Sequence, residues 1–383
     1  MSKPDDTGHD HDHVRRAAGT ASEAPGRGLT RPVLDARIHA AATLVIIAVV
    51  LLGLAVGRPL LVPLALAVIL WYLLSGIAHV IQALPLGGGR HPPGWISWIL
   101  SPLFMLIAVM AVIDRISGSV SAFTDSIATY TANLNQVLID LSGVLGVDVS
   151  RHLEGLVESI DVQALVSEMA LEVASVVGSV GLIIIYVAFI AFETSYFQRK
   201  INLMVGNPER RAATAALIRR IQADIRTYVL VKTVMSVLTG GITWIVLMIV
   251  GLDFAFLWGF IIFLLNYIPT IGSLLGALFP ALMAMLQFGG GGIALLLLLI
   301  LGFTQFFIGN VLEPRVMGSS LNLSPLVVML SLALWGMLWG ITGMLLCVPI
   351  TVIAVIVLAN FPSTRNWAIL LSQNGRVMEA GRR

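Results

Sequence analysis

Charge is what this sequence has least of. Only 11% of its residues are Asp, Glu, Lys or Arg, under half of the roughly one quarter that a water-soluble domain carries. Hydrophobic residues make up 57%, and the mean hydropathy is +0.93. A 383-residue chain with so few charges cannot cover its own surface in water, which excludes a soluble globular protein. Cysteine is nearly absent: the single Cys347 lies in an apolar run, so no disulfide can form within the chain. Alternating ten-residue strand patterns are missing, which argues against a transmembrane barrel. No H-E-x-x-H motif occurs and no motif pairs a serine with a base, so the sequence offers no catalytic residues for an intramembrane enzyme. It calls for no cofactor and shows no nucleic-acid-binding pattern. His9, His11 and His13 alternate with Asp in a polar, Gly/Pro-bearing tail; they read as solvated low-complexity sequence rather than a metal site.

What the sequence does have is long apolar runs. Spans are expected near 38–57, 60–84, 95–113, 174–192, 229–250 and 293–312, most of them at or above the roughly 18 residues that mark a membrane helix. The expected class is therefore all-α and polytopic, with the lipid bilayer as its solvent. Gly57-Arg58-Pro59 makes a tight turn after the first span, and PLGGGRHPPG breaks the chain after the second. Basic residues mark cytoplasmic loops. The tail before residue 38 holds Arg15, Arg16, Arg27, Arg31 and Arg37. Segment 193–232 holds Arg199, Lys200, Arg210, Arg211, Arg219, Arg220, Arg226 and Lys232 against Glu193, Glu209 and Asp224. The C-terminus carries Arg365, Arg376, Arg382 and Arg383. Segment 114–172 is acidic, with Arg115 and Arg151 outnumbered by Asp and Glu. Both termini and 193–232 are thus expected inside and 114–172 outside, which agrees with the span count.

The expected organisation is a disordered tail over 1–37, membrane helices over 38–113 and an extracytoplasmic segment over 114–173. A membrane helix over 174–192 and a basic cytoplasmic segment over 193–228 follow, then a transport core over 229–360 and a tail over 361–383. In the outer segment, Val120, Phe123, Ile127, Tyr130, Leu134, Val137, Leu141 and Val144 follow a 3-4 spacing. That stripe predicts an amphipathic helix packed within the protomer or against a sister subunit.

Two segments are too long for one span and too interrupted for a straight helix. Residues 254–288 would make a helix of about 50 Å against a hydrocarbon core of about 30 Å, and NYIPTIG at 266–272 breaks it. Each piece, roughly 12–16 residues, is short for a crossing. A helical hairpin that enters and leaves by one face resolves this, with Pro269 and Gly272 at its tip. Residues 325–359 repeat the problem, with the break at Gly340-Ile-Thr-Gly343. The tips share a faint likeness: Gly272-Ser-Leu-Leu before Pro280, and Gly343-Met-Leu-Leu before Pro349. A span followed by a hairpin thus occurs twice, in opposite orientations. Inverted repeats with interrupted helices are a recurrent design of secondary transporters.

Asn266, Tyr267, Thr270 and Ser273 form a polar patch at the first tip, and Thr342 with Gly343 lies at the second. Such uncharged groups suit a small polar solute; equally, Asn266 and Ser273 suit the capping of broken helix ends. Thr304, Gln305 and Asn310 face either a pathway or a neighbouring helix. Glu313 and Arg315 flank Pro314 as a gate or as a solvated loop pair, and Asp253 falls at the outer interface. His79, Asp253 and Glu193 are weak candidates for proton coupling, which favours an uncharged solute over an ion antiporter. A non-transporting scaffold or sensor is the remaining reading.

The stretches N-Y-I-P-T-I-G-S-L-L-G-A at 266–277, E-P-R-V-M-G-S-S-L-N-L-S-P-L-V-V from 313 and W-G-M-L-W-G-I-T-G-M-L-L-C-V-P up to 349 resemble the autoinducer-2 exporter family. R-P-L-L-V-P-L at 58–64 fits that family's first turn. The resemblance, over roughly 38–360, implies a bacterial inner-membrane exporter of small polar solutes such as the furanosyl signal autoinducer-2. It also implies a homo-oligomer, with a pentamer expected, and admits sodium or lithium/proton antiport as the alternative.

Overall fold

The computed structural model describes residues 30–84, 92–115, 130, 133, 179–194, 196, 199–200, 203–204, 207–317, 323–361 and 363–375. The histidine tail and the rest of the 120–144 stripe lie outside the described residues. All described elements are helical: α1 (Thr30–Val56), α2 (Arg58–Ala83), α3 (Gly94–Arg115), α4 (Ser179–Thr194) and α5 (Pro208–Val250) come first. Then follow α6 (Ala255–Leu265), α7 (Ile271–Phe288), α8 (Gly291–Met317), α9 (Pro325–Ala359) and α10 (Arg365–Leu371). The chain divides into two units, Met1–Gly53 and Leu54–Arg383. The first contains most of α1, whose apolar side chains from Leu44 to Leu52 are largely exposed. Everything below concerns the second.

The second unit is apolar outside and polar within. Leu295, Leu299, Phe303 and Phe306 of α8 are exposed, whereas Ser236, Thr239, Asn266 and Gln305 are buried. Water would favour the reverse; a hydrocarbon solvent favours this arrangement. Among the described residues, six helices are long and apolar enough to span: α2, α3, α5, α7, α8 and α9. Several boundaries differ from those expected. α1 starts at Thr30, before residue 38. α5 is a single helix of 43 residues, about 65 Å long, so the second half of the basic segment is a helical extension of the span. Asn207 caps its start by accepting from the Glu209 N–H. Part of the C-terminal tail folds as α10, whose end pairs with Leu323 through Ser372.

Both oversized segments fold back on themselves. In the first, α6 has only 11 residues and α7 has 18, about 16 and 27 Å. Residues 266–270 join them. Gln287, near the end of α7, accepts from the Asp253 N–H and donates to the Gly251 carbonyl, so both arms return to one end. In the second, α9 breaks at Gly340 (φ 65°, ψ −145°). The Ser324 N–H, before its first arm, donates to Leu371 just beyond its second. Gly272 and Gly343, the matched glycines of the two tips, do the same work. A Cβ on either would collide with a backbone carbonyl of the opposite arm, Leu265 or Trp335. The short sequence likeness therefore has one physical cause.

α5 gives the relative orientation. The open end of the first hairpin packs around Leu247 and Leu252, while the open-end portions of the second pack around Ile225, Tyr228 and Val229. These levels are about 33 Å apart along α5. The hairpins thus open toward opposite ends of the second unit.

Gly340 holds a backbone region that is almost glycine-only. Gly340→Ala is expected to destabilise the protein by about 1–3 kcal/mol, read as a lower thermal midpoint in detergent; an unchanged midpoint would contradict the hairpin break.

Candidate functional site

α5 presents its polar residues along one face. Tyr228, Lys232, Ser236, Thr239 and Thr243 recur at four, four, three and four positions and are all buried, as one side of a helix requires. The first hairpin lays its tip on this face. Asn266 is 5% exposed and its amide donates to Ser236 Oγ at 3.1 Å. The Tyr267 hydroxyl meets Thr233 Oγ1 at 2.7 Å. One residue along, Lys232 Nζ lies 2.8 and 3.0 Å from the two carboxylate oxygens of Glu313. These side chains are 9% and 16% exposed. Amide, hydroxyl and ion pair therefore form a continuous polar track between the hairpin tip, α5 and the end of α8.

Local geometry explains why Glu313 arrives there. α8 carries a π-helical turn over Ile308–Leu312. In an unbroken α-helix a residue eight positions beyond Gln305 sits about 80° round the axis. The wider π turn takes up that excess and brings Glu313 to the inward side. Glu313 does not pair with Arg315, which is exposed. The solvated loop pair is replaced by a buried bond to a residue that charge counting had placed with the cytoplasmic cations.

The remaining predicted residues fall in several places. Gln305 is 5% exposed, and its Nε2 has no hydrogen-bond partner. It lies 2.6 Å from where a Cβ on Gly276 would be, so a larger residue there would displace the amide. Asn266 occupies the C-cap of α6, where its backbone N–H bonds to Ile262 O, while its side chain crosses to α5. Thr270, the residue before α7, makes no side-chain cap. It holds φ 59°, strained for a β-branched residue, and touches Pro269 O and Met329 Sδ. Ser273 is half-buried on the first turn of α7. Asn310 is exposed and bonds to its own helix at Phe306 O, away from the track; Thr304 likewise bonds to Ile300 O.

Thr342 and Gly343 belong to the second tip, which does not meet the first. Thr270 contacts Met329, 11 residues and about 16 Å along the arm from Gly340. The second tip instead meets the α1–α2 turn: the Trp339 indole donates to Leu54 O at 3.0 Å, and the Arg58 guanidinium borders Gly340. Asp253 lies at the open end of the first hairpin, where it accepts from the Tyr130 hydroxyl at 2.8 Å. Asn133 donates to Leu286 O beside it. Of the other titratable candidates, His79 is exposed and bonded to Ser75 O, and Glu193 pairs with Lys200 in an exposed position. No group of three or more metal-ligating side chains occurs among the described residues.

Sequence reasoning missed Lys232, Thr233 and Ser236. The four-residue recurrence along α5 was the signal that would have found them.

The family model described as AI-2E family transporter matches residues 44–363. The chain belongs to the AI-2E transporter family. AI-2 transport protein TqsA of Escherichia coli (strain K12) is 32% identical over 335 residues, covering 85% of this chain and 92% of the relative. A putative transport protein of Haemophilus influenzae (strain ATCC 51907 / DSM 11121 / KW20 / Rd) is 32% identical over 84% and 93%. Putative transport protein YhhT of E. coli (strain K12) is 31% identical over 70% and 76%. With its lipid-facing exterior, this AI-2E family member is a membrane transporter.

Removing one partner of the buried pair leaves an uncompensated charge. Glu313→Gln is expected to cost about 3–5 kcal/mol of stability, against less than about 0.5 kcal/mol for Arg315→Gln. The double variant Lys232→Met, Glu313→Leu is expected to recover most of the loss. Thermal unfolding in detergent checks all three; equal effects of the two single variants would refute the pairing.

Proposed function

We propose that this protein exports a small polar solute across the bacterial inner membrane, a solute of the kind for which its TqsA relative is named. The observation that carries this is the buried polar track along α5 and the first hairpin. Apolar side chains would pack there at least as well if the protein only had to fold. Interrupted helices in inverted orientation, meeting polar groups at membrane depth, are what a solute pathway through a bilayer is built from. On this reading the hairpins are re-entrant and at least one of them moves relative to the first four spans. Both termini lie in the cytoplasm. The basic segment keeps its sign without Lys232, with Arg199, Lys200, Arg210, Arg211, Arg219, Arg220 and Arg226 against Glu193, Glu209 and Asp224. The working form is a homo-oligomer, a pentamer by the family resemblance. Its exposed apolar surface and the outer segment supply candidate contacts between subunits.

Flux into proteoliposomes tests the reading, with autoinducer-2 compared with Na⁺ and Li⁺ under an imposed pH gradient. Autoinducer-2 is expected to cross in a protein-dependent manner. Asn266→Ala is expected to lower that flux by more than it lowers folded yield. Cation-for-proton exchange without solute flux would overturn it.

A further inference from the structure

Two buried N–H donors on the first hairpin side of the second unit have nothing to donate to. Gln305 Nε2 and Trp258 Nε1 are each buried with no hydrogen-bond acceptor in reach. A buried donor left unpaired is costly and rare, so its retention asks for a reason. The two donors are close in register. Trp258 and Ile262 lie four residues apart on α6, on neighbouring parts of one face, and Asn266, its C-cap, lies four further on. Gly276 of α7 faces both Ile262 and Gln305, its ideal Cβ falling 3.4 Å from the first and 2.6 Å from the second. The Gln305 amide therefore lies level with Ile262. It is one helical turn, about 6 Å of axial rise, from Trp258 on one side and from Asn266 on the other. Trp258 packs against the cluster that contains Leu297 and Leu301 of α8, the residues one and two turns before Gln305.

We infer that Trp258 and Gln305 are the donors that read the solute's oxygen acceptors, and that they set its specificity. This rests on the transport reading above. An indole nitrogen only donates, and the unpaired atom of Gln305 is likewise a donor. The pair suits a neutral or anionic solute carrying hydroxyl, ether or carbonyl oxygens. The Trp258 N–H does not suit a hard cation such as Na⁺ or Li⁺, which needs oxygen lone pairs pointed at it. Asn266 continues the line one turn further on, where its amide is already bonded to Ser236. A solute leaving Gln305 thus meets the start of the polar track. Gly276 leaves the Gln305 amide just enough room, and separation of α7 from α8 would open it to a solute.

The test separates reading a solute from holding the fold. Trp258→Phe keeps an aromatic ring, loses the donor and leaves a small void; Gln305→Leu keeps most of the volume and removes the amide. An unpaired donor contributes nothing to folding, so Gln305→Leu should keep or raise the thermal midpoint, while Trp258→Phe lowers it through lost packing. The KM for autoinducer-2 in proteoliposomes should rise about three- to tenfold in each, the loss of one hydrogen bond. Unchanged KM in both variants, with wild-type flux intact, overturns the inference and leaves the transport reading standing. Stability and flux that fall together in Gln305→Leu also overturn it, because they make that amide structural. Absence of solute flux in the wild type overturns the transport reading and this inference with it.

Discussion

A backbone that breaks inside hydrocarbon must have its polar groups enclosed by protein, and among the described residues two long apolar segments are broken, at 266–270 and at Gly340. Much of the architecture of the second unit follows from that constraint. Neither break is hidden by making the helix longer. Each is hidden by folding one arm onto the other so tightly that a methyl group at Gly272 or Gly343 would strike the opposing carbonyl. The tips are then braced from outside. Ser236 and Thr233 of α5 hold the first; the Leu54 carbonyl, through Trp339, holds the second. α5 crosses α6 where Gly240 and Gly259 bring the two backbones together, a Cβ on either falling within 3 Å of the other's carbonyl. That close crossing sets the tip against the polar face of α5.

The same enclosure makes the Lys232–Glu313 pair intelligible. Two apolar residues would be at least as stable in its place, yet the π turn in α8 is spent on delivering a carboxylate there. The pair lies one residue from Thr233, which holds the tip through Tyr267. Bond geometry, strain at Thr270 and the π turn therefore converge on one small region. Stored strain and π turns cluster where a protein has to change its shape or bind something. The unpaired donors of Trp258 and Gln305 lie further along the same hairpin, toward its open end.

Much of this was legible in the sequence. Length arithmetic showed that each segment must break, because about 30 Å of hydrocarbon cannot hold 35 residues of straight helix, and the NYIPTIG and Gly340–Gly343 interruptions located the breaks. A buried amide is costly in lipid, which singled out Gln305 as inward-facing, and it is buried. What failed was reasoning about charge as a property of loops. Lys232 was counted with the cytoplasmic cations, since hydropathy windows blur a single charge at the edge of a span. Its partner lies 81 positions away, beyond the reach of any local pattern; Arg315, the near neighbour, was the wrong choice for that reason. Asn310 misled because an exposed amide on a helix can satisfy itself on the preceding turn. The short arm of the first hairpin was anticipated, but α7 with 18 residues exceeds the length expected of it, because it starts at Ile271, inside the NYIPTIG break.

The central claim is that the buried track between α5 and the first hairpin opens to water when solute passes. Ser236 is fully buried at rest, so its accessibility reports that opening directly. The decisive measurement is the labelling rate of Ser236→Cys, in a Cys347→Ala background, by a membrane-impermeant thiol reagent in proteoliposomes with and without an autoinducer-2 gradient. The account predicts protection at rest and labelling during turnover. Protection under both conditions, while solute still crosses, would contradict it.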